Sequence, residues 1–267
     1  MKYLRALCRN IPRSIVNLGL RQKLPSSPFN YELAVKQHED YITALRNAGI
    51  SDIKILESDE SLPDCVFVED TAIVIGQTAL ITNPGASSRK LETISVLKHF
   101  KNSDCIKNIH IMTGPACCDG GDVLFTGKEI FVGISRRSNL EGVVTIKNVF
   151  NNFPVHALDI GSKHLHLKSF LSMLNENTIA LGKSETAQFV KKQLLNKACE
   201  KYEFFEVSDD YAANVIYANG VLIHRSVNEF PESFKLFNNL PVKTKISLNC
   251  SEISKVDGAL TCCSILY

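Results

Sequence analysis

The sequence repeats one local pattern at intervals of roughly 45–55 residues, and this repeat restricts the fold more than any other feature. Each copy has an apolar segment rich in β-formers, a short polar turn, a second apolar segment, a loop and a segment with helical spacing. In the first copy the strands are predicted at 71–75 and 79–82, across a turn that begins at Gly76. The helix that follows is predicted to bury one face, formed by Leu91, Ile94, Leu97 and Phe100. Such a repeat is typical of propellers and related arrays.

Three further copies follow the first. Their strand pairs are predicted at 122–126 with 130–132, at 169–173 with 178–181, and at 214–217 with 221–224. Ser184 is placed to cap the helix after the third pair, and Pro231 to open the helix after the fourth. Asn219-Gly220, between the strands of the fourth pair, is a strong hairpin signal.

The two ends of the chain supply the parts of one more module. Residues 258–266 give a single strand before the chain stops, and residues 3–8 give a strand before a helix at 31–48 that is capped by Gly49. The buried stripe of this helix is predicted to be Ala34, His38, Tyr41 and Leu45. We therefore expect five modules in a closed ring, as a single domain of 267 residues. A doubly wound α/β sheet is the alternative, but the Gly-Gly turn at 119–122 precedes a strand, whereas a phosphate turn would precede a helix.

Composition excludes several classes of protein. With 45% hydrophobic and 22% charged residues, the chain can bury a substantial core. A net charge of +2, without a cluster of basic and aromatic residues, argues against a nucleic-acid partner. We expect no signal peptide and no membrane span, because charges interrupt every apolar run. Nine cysteines, an odd number that includes the adjacent pairs Cys117-Cys118 and Cys262-Cys263, indicate a reduced, cytoplasmic setting.

Polar residues recur at the same position of the modules, just before a strand. A ring places loops from every module at one end of its central channel, so these residues are expected to converge there. They are Glu69-Asp70, Asp119 with Asp122, His164 with His166, and Asp257 with Cys262-Cys263.

Each of these residues also has an ordinary structural interpretation. The aspartates at 119 and 122 are compatible with a simple turn, a histidine is often only packed, and Cys263 is best explained as a small buried hydrophobe. His164 and His166 alternate along an extended segment and are expected to share a face. A structural zinc site has poor spacing, because adjacent cysteines on a strand point to opposite faces and no Cys-x-x-Cys occurs.

Five strings of residues, between about residue 59 and residue 266, go beyond these general patterns. They are Leu62-Pro63-Asp64-Cys65-Val66-Phe67-Val68-Glu69-Asp70; Asn83-Pro84-Gly85-Ala86 with Arg89; Asp119-Gly120-Gly121-Asp122-Val123-Leu124-Phe125; His164-Leu165-His166-Leu167-Lys168-Ser169-Phe170; and Lys255-Val256-Asp257-Gly258 with Thr261-Cys262-Cys263-Ser264. In this order and spacing they resemble the dimethylarginine dimethylaminohydrolase family of the guanidino-group-modifying superfamily. The resemblance implies an α/β fold, a five-bladed pseudo-symmetric propeller of ββαβ-type modules that is closed by the N- and C-terminal strands.

The resemblance also implies a reaction. The family hydrolyses free asymmetric dimethylarginine and monomethylarginine to citrulline plus dimethylamine or methylamine, without a cofactor, and thereby regulates nitric oxide synthesis. Cys262 matches the nucleophile that forms a covalent thiouronium intermediate, and His166 matches the residue that protonates the amine and activates water. Asp119 matches the acid that orients this histidine. An inhibitory zinc ion bound at Cys262 is a further hypothesis.

Substrate-binding residues are implied in the same way. Carboxylates at Asp64, Glu69 and Asp70 match positions that hold guanidinium or amino groups. The other implied binding residues are Arg89 and Arg137 for the α-carboxylate, the carbonyls of Leu20 and Val256 for the α-amino group, and Asp257. Residues 12–28 suit a mobile lid over a small-molecule substrate, and the expected assembly is a monomer or weak homodimer.

Two other functions use the same residues. An arginine or agmatine deiminase has the same thiol chemistry, although two arginines that hold a carboxylate argue against agmatine. A catalytically silent arginine-binding scaffold is the second, but it would not need Cys262, His166 and Asp119. Cys117-Cys118 departs from the family pattern, and exposed or structural thiols are the simplest interpretation of the pair.

Overall fold

The structure, a computed structural model, describes residues 2–267, in which every module combines strands and helices. The strands are β1 (Arg5–Arg9), β2 (Asp52–Leu56), β3 (Ala72–Ile75), β4 (Thr78–Ile81), β5 (Asn108–Ile111), β6 (Val123–Phe125), β7 (Ile130–Ile134), β8 (Val155–Asp159), β9 (Leu171–Met173), β10 (Thr178–Leu181), β11 (Glu203–Glu206), β12 (Ile216–Ala218), β13 (Val221–Arg225), β14 (Thr244–Leu248) and β15 (Ile265–Leu266). The helices are α1 (Ile15–Leu18), α2 (Tyr31–Asn47), α3 (Glu92–Lys101), α4 (Leu140–Val149), α5 (Glu185–Lys197), α6 (Pro231–Asn238) and α7 (Ser251–Ser254).

The strands form five three-stranded sheets with one shared topology. Their orders are β15-β1-β2, β3-β4-β5, β6-β7-β8, β9-β10-β11 and β12-β13-β14. In each sheet the middle strand pairs antiparallel with the first strand and parallel with the third. A parallel partner requires a crossover, which the helix between these two strands supplies. The predicted ββαβ module is confirmed in all five sheets.

The two chain ends complete the fifth module, as predicted. Strand β1 pairs antiparallel with β15, so that Ala6 lies opposite Leu266 and Leu7 lies opposite Ile265. Strand β15 in turn contacts β3 of the next module. The first strands of the five sheets face a central channel of about 860 Å³, whose lining includes Ile73, Leu124, Ser172, Ile216 and Leu266. The five-module α/β propeller is therefore confirmed.

Helix α2 shows how the sequence pattern specifies packing. Asn30 caps the helix through a hydrogen bond from the Leu33 amide, and the left-handed φ of +81° at Gly49 follows its end. The predicted stripe is buried as expected: Ala34, His38, Tyr41 and Leu45.

Helix α3 buries only part of the predicted face. Phe100 is buried and Leu97 packs partly against the core, but Leu91 and Ile94 are exposed, and Glu92 and Val96 are buried instead. The reason is electrostatic, because the Glu92 carboxylate accepts hydrogen bonds from the buried guanidinium of Arg89. Ion pairing with a buried cation thus overrides hydrophobic periodicity in this helix.

The described residues hold all nine cysteines as free thiols, and none of them forms a disulfide. Within residues 2–267, no helix combines the length and the apolar character needed to cross a bilayer.

Candidate active site

A 3₁₀ turn precedes the first strand of every module, and the polar residues predicted to converge lie on or beside these turns. The five turns are Val68–Thr71, Gly120–Asp122, Leu167–Ser169, Asp210–Ala213 and Thr261–Cys263. Because the first strands surround the channel, turns that enter these strands meet at one end of the ring. A cavity of about 320 Å³ lies there, and its lining includes Leu20, Asp64, Asp70, Arg89, Arg137, His166, Val256, Asp257 and Cys262.

Asp119 holds the side chain of His166. Its Oδ2 lies 2.9 Å from Nε2 of His166 and 3.2 Å from Nη1 of Arg137, and its Oδ1 accepts a hydrogen bond of 2.8 Å from the Gly85 amide. Asp119 is completely buried. A buried carboxylate with three donors is rigid, so the imidazole has a fixed orientation at the cavity wall.

The charge of His166 follows from the surrounding carboxylates. Burial alone lowers the pKa of this histidine, but the charge of Asp70, the hydrogen bond to Asp119 and the charge of Asp122 together raise the pKa to about 9. His166 is therefore an imidazolium at neutral pH. It can donate a proton to a departing amine.

Two glycines leave room for the imidazole and the acids. A Cβ atom at Gly121 would lie 2.6 Å from Nδ1 of His166 and 2.9 Å from Oδ1 of Asp70. At Gly120 it would lie 2.0 Å from the carbonyl oxygen of Glu69. The Gly-Gly pair is required by this close approach between modules.

Asp70 lies between two cations. It pairs with Nη1 of Arg89, its Oδ1 accepts a 2.9 Å hydrogen bond from the Gly121 amide, and the same oxygen is 4.0 Å from Nε2 of His166. Burial raises the pKa of Asp70, but the charges of His166 and Arg89 outweigh it and hold the pKa well below the usual carboxyl range. Asp70 is thus an anion that faces the cavity.

The Arg89 guanidinium is largely occupied by protein groups. It pairs with Asp70 and with Glu92 (2.7 Å), and its Nη2 also donates to the Phe67 carbonyl (2.9 Å). Burial raises the pKa of Glu92 to about 7, although its bonds to Arg89 oppose the shift. Among residues 2–267, Arg137 donates a side-chain hydrogen bond to Asp119 alone, from Nη1. Arg137 is therefore the cation of the cavity with donors available for a ligand.

The segment at 12–28 covers the cavity through two carboxylates. The Leu20 amide donates to Oδ1 of Asp64 (2.9 Å), and the Gln22 amide donates to Oδ2 of Asp257 (2.5 Å). Burial raises the pKa of both Asp64 and Asp257. Asp257 has a positive φ of +59°, which directs its side chain from the turn after α7 toward this segment. These bonds position Leu20 at the cavity wall.

Cys262 lies in a 3₁₀ turn, whereas the sequence predicted a strand through this position. The turn separates the two adjacent cysteines: Cys262 reaches the cavity, and Cys263 is buried in the core as expected. Burial raises the pKa of the Cys262 thiol far above its usual value, and the charges of Glu69 and Asp70 add to this effect. The free protein therefore holds Cys262 as a neutral thiol.

Glu69 lies outside the lining of this cavity and faces the central channel. Its two carboxylate oxygens accept hydrogen bonds from Lys168 Nζ (2.6 Å) and Thr261 Oγ1 (2.8 Å). Burial raises the pKa of Glu69, while the charge of Lys168 opposes the shift. Glu69 thus anchors the turn that carries Cys262.

The two histidines of the His-Leu-His segment do not share a site. Nε2 of His164 lies 3.2 Å from Oδ2 of Asp210, and its ring packs against Phe170. The expectation that both histidines face one space is wrong, because the backbone bends over residues 162–166 and does not keep the extended alternation.

Asp122 belongs to the polar residues predicted to converge, and its contacts give it a supporting role. Its oxygens accept hydrogen bonds from Ser135 (2.6 Å), Ser138 (2.7 Å) and the Leu167 amide (2.8 Å). Burial raises its pKa to about 6. The bond to Leu167 fixes the backbone directly after His166.

Glu92, which supports Arg89, was missed because nothing in its local pattern distinguishes it from a surface helix residue.

Comparison with known proteins places this geometry in one family. The family described as N,N dimethylarginine dimethylhydrolase, eukaryotic, matches residues 20–257. The human protein DDAH2 is 30% identical over 266 residues, which is 96% of this chain and 91% of that protein. The structure of DDAH from Pseudomonas aeruginosa, a cysteine-to-serine mutant complexed with citrulline, is 27% identical, superposes with a TM-score of 0.89 and covers 100% of both chains.

A second solved structure concerns the covalent chemistry. It is a dimethylarginine dimethylaminohydrolase with a histidine-to-glycine substitution, as an adduct with S-methyl-L-thiocitrulline. It is 26% identical to this chain and superposes with a TM-score of 0.87, and the match covers 99% of this chain and 100% of that chain. On the match to the family across residues 20–257, the chain belongs to the dimethylarginine dimethylaminohydrolase family.

Proposed function

We propose that the chain hydrolyses free Nω-methylated arginines, namely asymmetric dimethylarginine and monomethylarginine, to citrulline and the corresponding methylamine. The observation that carries this proposal is a single cavity that joins a thiol, an imidazolium and an anionic carboxylate: Cys262, His166 and Asp70. Relatives complexed with citrulline or with a thiocitrulline adduct support it.

The first step is attack of Cys262 on the guanidinium carbon. Because the free thiol is neutral, the cationic substrate must promote loss of its proton, which passes to solvent, by pairing with the thiolate that forms. The S–C bond forms as the bond from carbon to the methylated nitrogen breaks, and that nitrogen leaves as a neutral amine after it receives a proton from His166. The product of this step is a thiouronium bound to Cys262.

The second step releases citrulline. His166, now neutral, accepts a proton from a water molecule that attacks the same carbon, and the C–S bond breaks as the carbonyl of citrulline forms. Cys262 leaves as a thiolate and takes the second proton of the attacking water, which the intermediate loses as its carbonyl forms, so that the thiol is restored. Asp119 keeps the imidazole oriented throughout, and Asp70 offers an anion to the substrate guanidinium and stabilises the cationic form of His166.

The α-amino and α-carboxylate groups of the substrate are assigned to the other side of the cavity. Arg137 has donors for the α-carboxylate, and Leu20 and Val256, which both line the cavity, accept the α-amino group with their backbone carbonyls. Arg89 adds positive charge to the same wall and positions Asp70, while Asp64 and Asp257 hold the covering segment. Glu69, proposed from resemblance as a binding residue, acts through the turn of Cys262.

The proposal is tested by supplying the purified protein with asymmetric dimethylarginine, monomethylarginine, arginine and agmatine, and measuring citrulline and amine release. We expect citrulline with dimethylamine or methylamine from the methylated substrates. Turnover of arginine alone would instead make the protein a deiminase, and no turnover of any substrate would leave a binding protein.

Replacing Arg137 with methionine is expected to raise KM for asymmetric dimethylarginine by about 10- to 100-fold, because a charged hydrogen bond to the α-carboxylate is lost. A decarboxylated analogue provides the control. Because it has no carboxylate, it should compete with the substrate equally well in wild type and in the variant. If the substitution weakened the binding of substrate and analogue equally, Arg137 would not recognise the carboxylate.

Protonation of His166 is expected to make stability depend on pH. Its folded pKa of about 9 lies above the value of about 6.5 for an unfolded histidine, so its contribution is complete below the unfolded pKa and is lost as pH rises through the folded one. Between pH 7 and pH 10, we expect wild type to lose roughly 2–3 kcal/mol more free energy of unfolding than His166→Gln. Urea denaturation at both pH values measures this difference. Equal losses would place the His166 pKa near its ordinary value.

A further inference from the structure

A second cluster of metal-ligating side chains lies outside the active site. Glu129 directly precedes β7, His156 lies on the neighbouring strand β8, and Cys199 follows the end of α5. Each residue presents one ligand atom, and all three atoms lie within 4.8 Å of one another. None of the three lines the cavity that contains Cys262.

The three ligand atoms have nearly the separations that a metal ion requires. Nε2 of His156 is 2.7 Å from Oε2 of Glu129 and 3.8 Å from Sγ of Cys199. Zinc bonds of about 2.0 Å to nitrogen and oxygen and about 2.3 Å to sulfur put ligand atoms roughly 3.3–3.6 Å apart in a tetrahedron. Widening the His156–Glu129 separation by about half an ångström, and moving the Cys199 thiol, which is within 4.8 Å of both atoms, toward them, would therefore admit the ion between the three ligands.

Surrounding contacts hold the ligands in place. Oε1 of Glu129 accepts hydrogen bonds from Tyr202 Oη (2.9 Å) and the Glu200 amide (3.1 Å), while Oε2 accepts one from the Cys199 amide (3.0 Å) and also lies beside Nε2 of His156. The His156 ring stacks on Phe131 with centroids 5.2 Å apart. Such outer contacts orient metal ligands and raise affinity.

The position favours a cation with one open coordination site. Cys199 lies at the C-terminal end of a 13-residue helix, where the helix dipole is negative. Glu129 is completely buried, whereas Cys199 is exposed, so the cluster opens to solvent on the thiol side. Lys128 and Lys197 hold their ammonium groups on Glu200 and on the Ala157 carbonyl.

We propose that Glu129, His156 and Cys199 form a second, non-catalytic site for zinc(II), with a solvent molecule as fourth ligand. A thiolate, an imidazole and a carboxylate are the ligands that zinc takes in proteins, and three protein ligands leave one position open. Binding releases the thiol proton to solvent and takes the neutral tautomer of His156 that carries its proton on Nδ1, so that the Nε2 lone pair meets the ion; it ties the end of α5 to β8 and to the β6–β7 turn.

The test uses cobalt(II) as a spectroscopic probe and removes the active-site thiol first. In Cys262→Ser protein, kept reduced, we expect one equivalent of cobalt to give a thiolate-to-cobalt charge-transfer band and intense tetrahedral d–d bands. Zinc should displace the cobalt and raise Tm, because only the folded protein has the site. The charge-transfer band should disappear in Cys262→Ser/Cys199→Ala, with zinc affinity lower by about 100-fold.

Cys105→Ala in the same background is the matched control. Cys105 is a partly exposed thiol beside Ser103, without a histidine or carboxylate partner among its hydrogen bonds. The band should survive this substitution. The proposal is overturned if Cys262→Ser shows no thiolate band, or if the band remains without Cys199. His156→Gln, which keeps the thiol, should lower zinc affinity without changing turnover of methylated arginine in the Cys262 protein.

Discussion

Replacing Cys262 with serine is expected to reduce kcat for asymmetric dimethylarginine by about 10⁴-fold or more, because the covalent intermediate needs a thiolate. A hydroxyl is a far weaker acid than a thiol and does not form the corresponding anion beside a guanidinium. Citrulline release under saturating substrate measures the change. The substrate should still bind, since the cavity keeps Asp70 and Arg137, and isothermal calorimetry should show comparable affinity.

Cys263→Ser is the matched control for this prediction. Cys263 is adjacent in sequence but packs in the core, so its replacement should cost stability and leave most of the turnover. Mass spectrometry of the quenched reaction adds an independent measurement, since the adduct should appear on the peptide of Cys262. An adduct on Cys263, or undiminished turnover in Cys262→Ser, would refute the assignment of the nucleophile.

Replacing His166 with alanine is expected to lower kcat by about 10²- to 10⁴-fold, because both the proton donor for the amine and the base for water are lost. Burst kinetics should separate these two roles. If the amine departs slowly, no burst of amine appears; if only hydrolysis is impaired, one equivalent of amine is released and the adduct accumulates.

His164→Ala is the control for this second prediction. His164 lies two residues away and pairs with Asp210, outside the cavity, so kcat should change by no more than about twofold. Equal losses in the two variants would mean that disruption of the segment, and not loss of a proton donor, explains the effect. Circular dichroism and Tm of both variants report any such disruption.

Much of the fold follows from local patterns. Alternating apolar segments and turn residues predicted the hairpin of each module, and the unmatched strands at the two ends predicted that they would pair, as β1 and β15 do. The stripe of α2 was also predicted correctly, because its buried side chains are apolar or aromatic and follow helical periodicity. The spacing of apolar residues shows which face of a whole helix or strand is buried, and these features depend only on that face.

The active site was predictable in position more than in geometry. The polar residues before each first strand converge as expected, but the chain bends over residues 162–166, so the alternation assumed for His164 and His166 does not hold. The separation of these two histidines therefore could not be inferred from spacing, and spacing also could not assign Glu69 to the channel and Asp70 to the cavity. Asp122 was visible as a motif residue, whereas its hydrogen bond to Leu167 depends on a contact across 45 residues.

The recurring module is what the sequence by itself determined, because hydrophobic spacing and turn chemistry act over a few residues. Only the tertiary structure decided which face of α3 is buried, since Glu92 turns inward to meet Arg89. It alone also placed the Cys262 thiol in the same cavity as His166 and Asp70. The grouping of Glu129, His156 and Cys199 has the same origin. The contact of Asp119 with His166 and the approach of Cys199 to His156 join neighbouring modules, and such distances exist only once the modules have packed against one another.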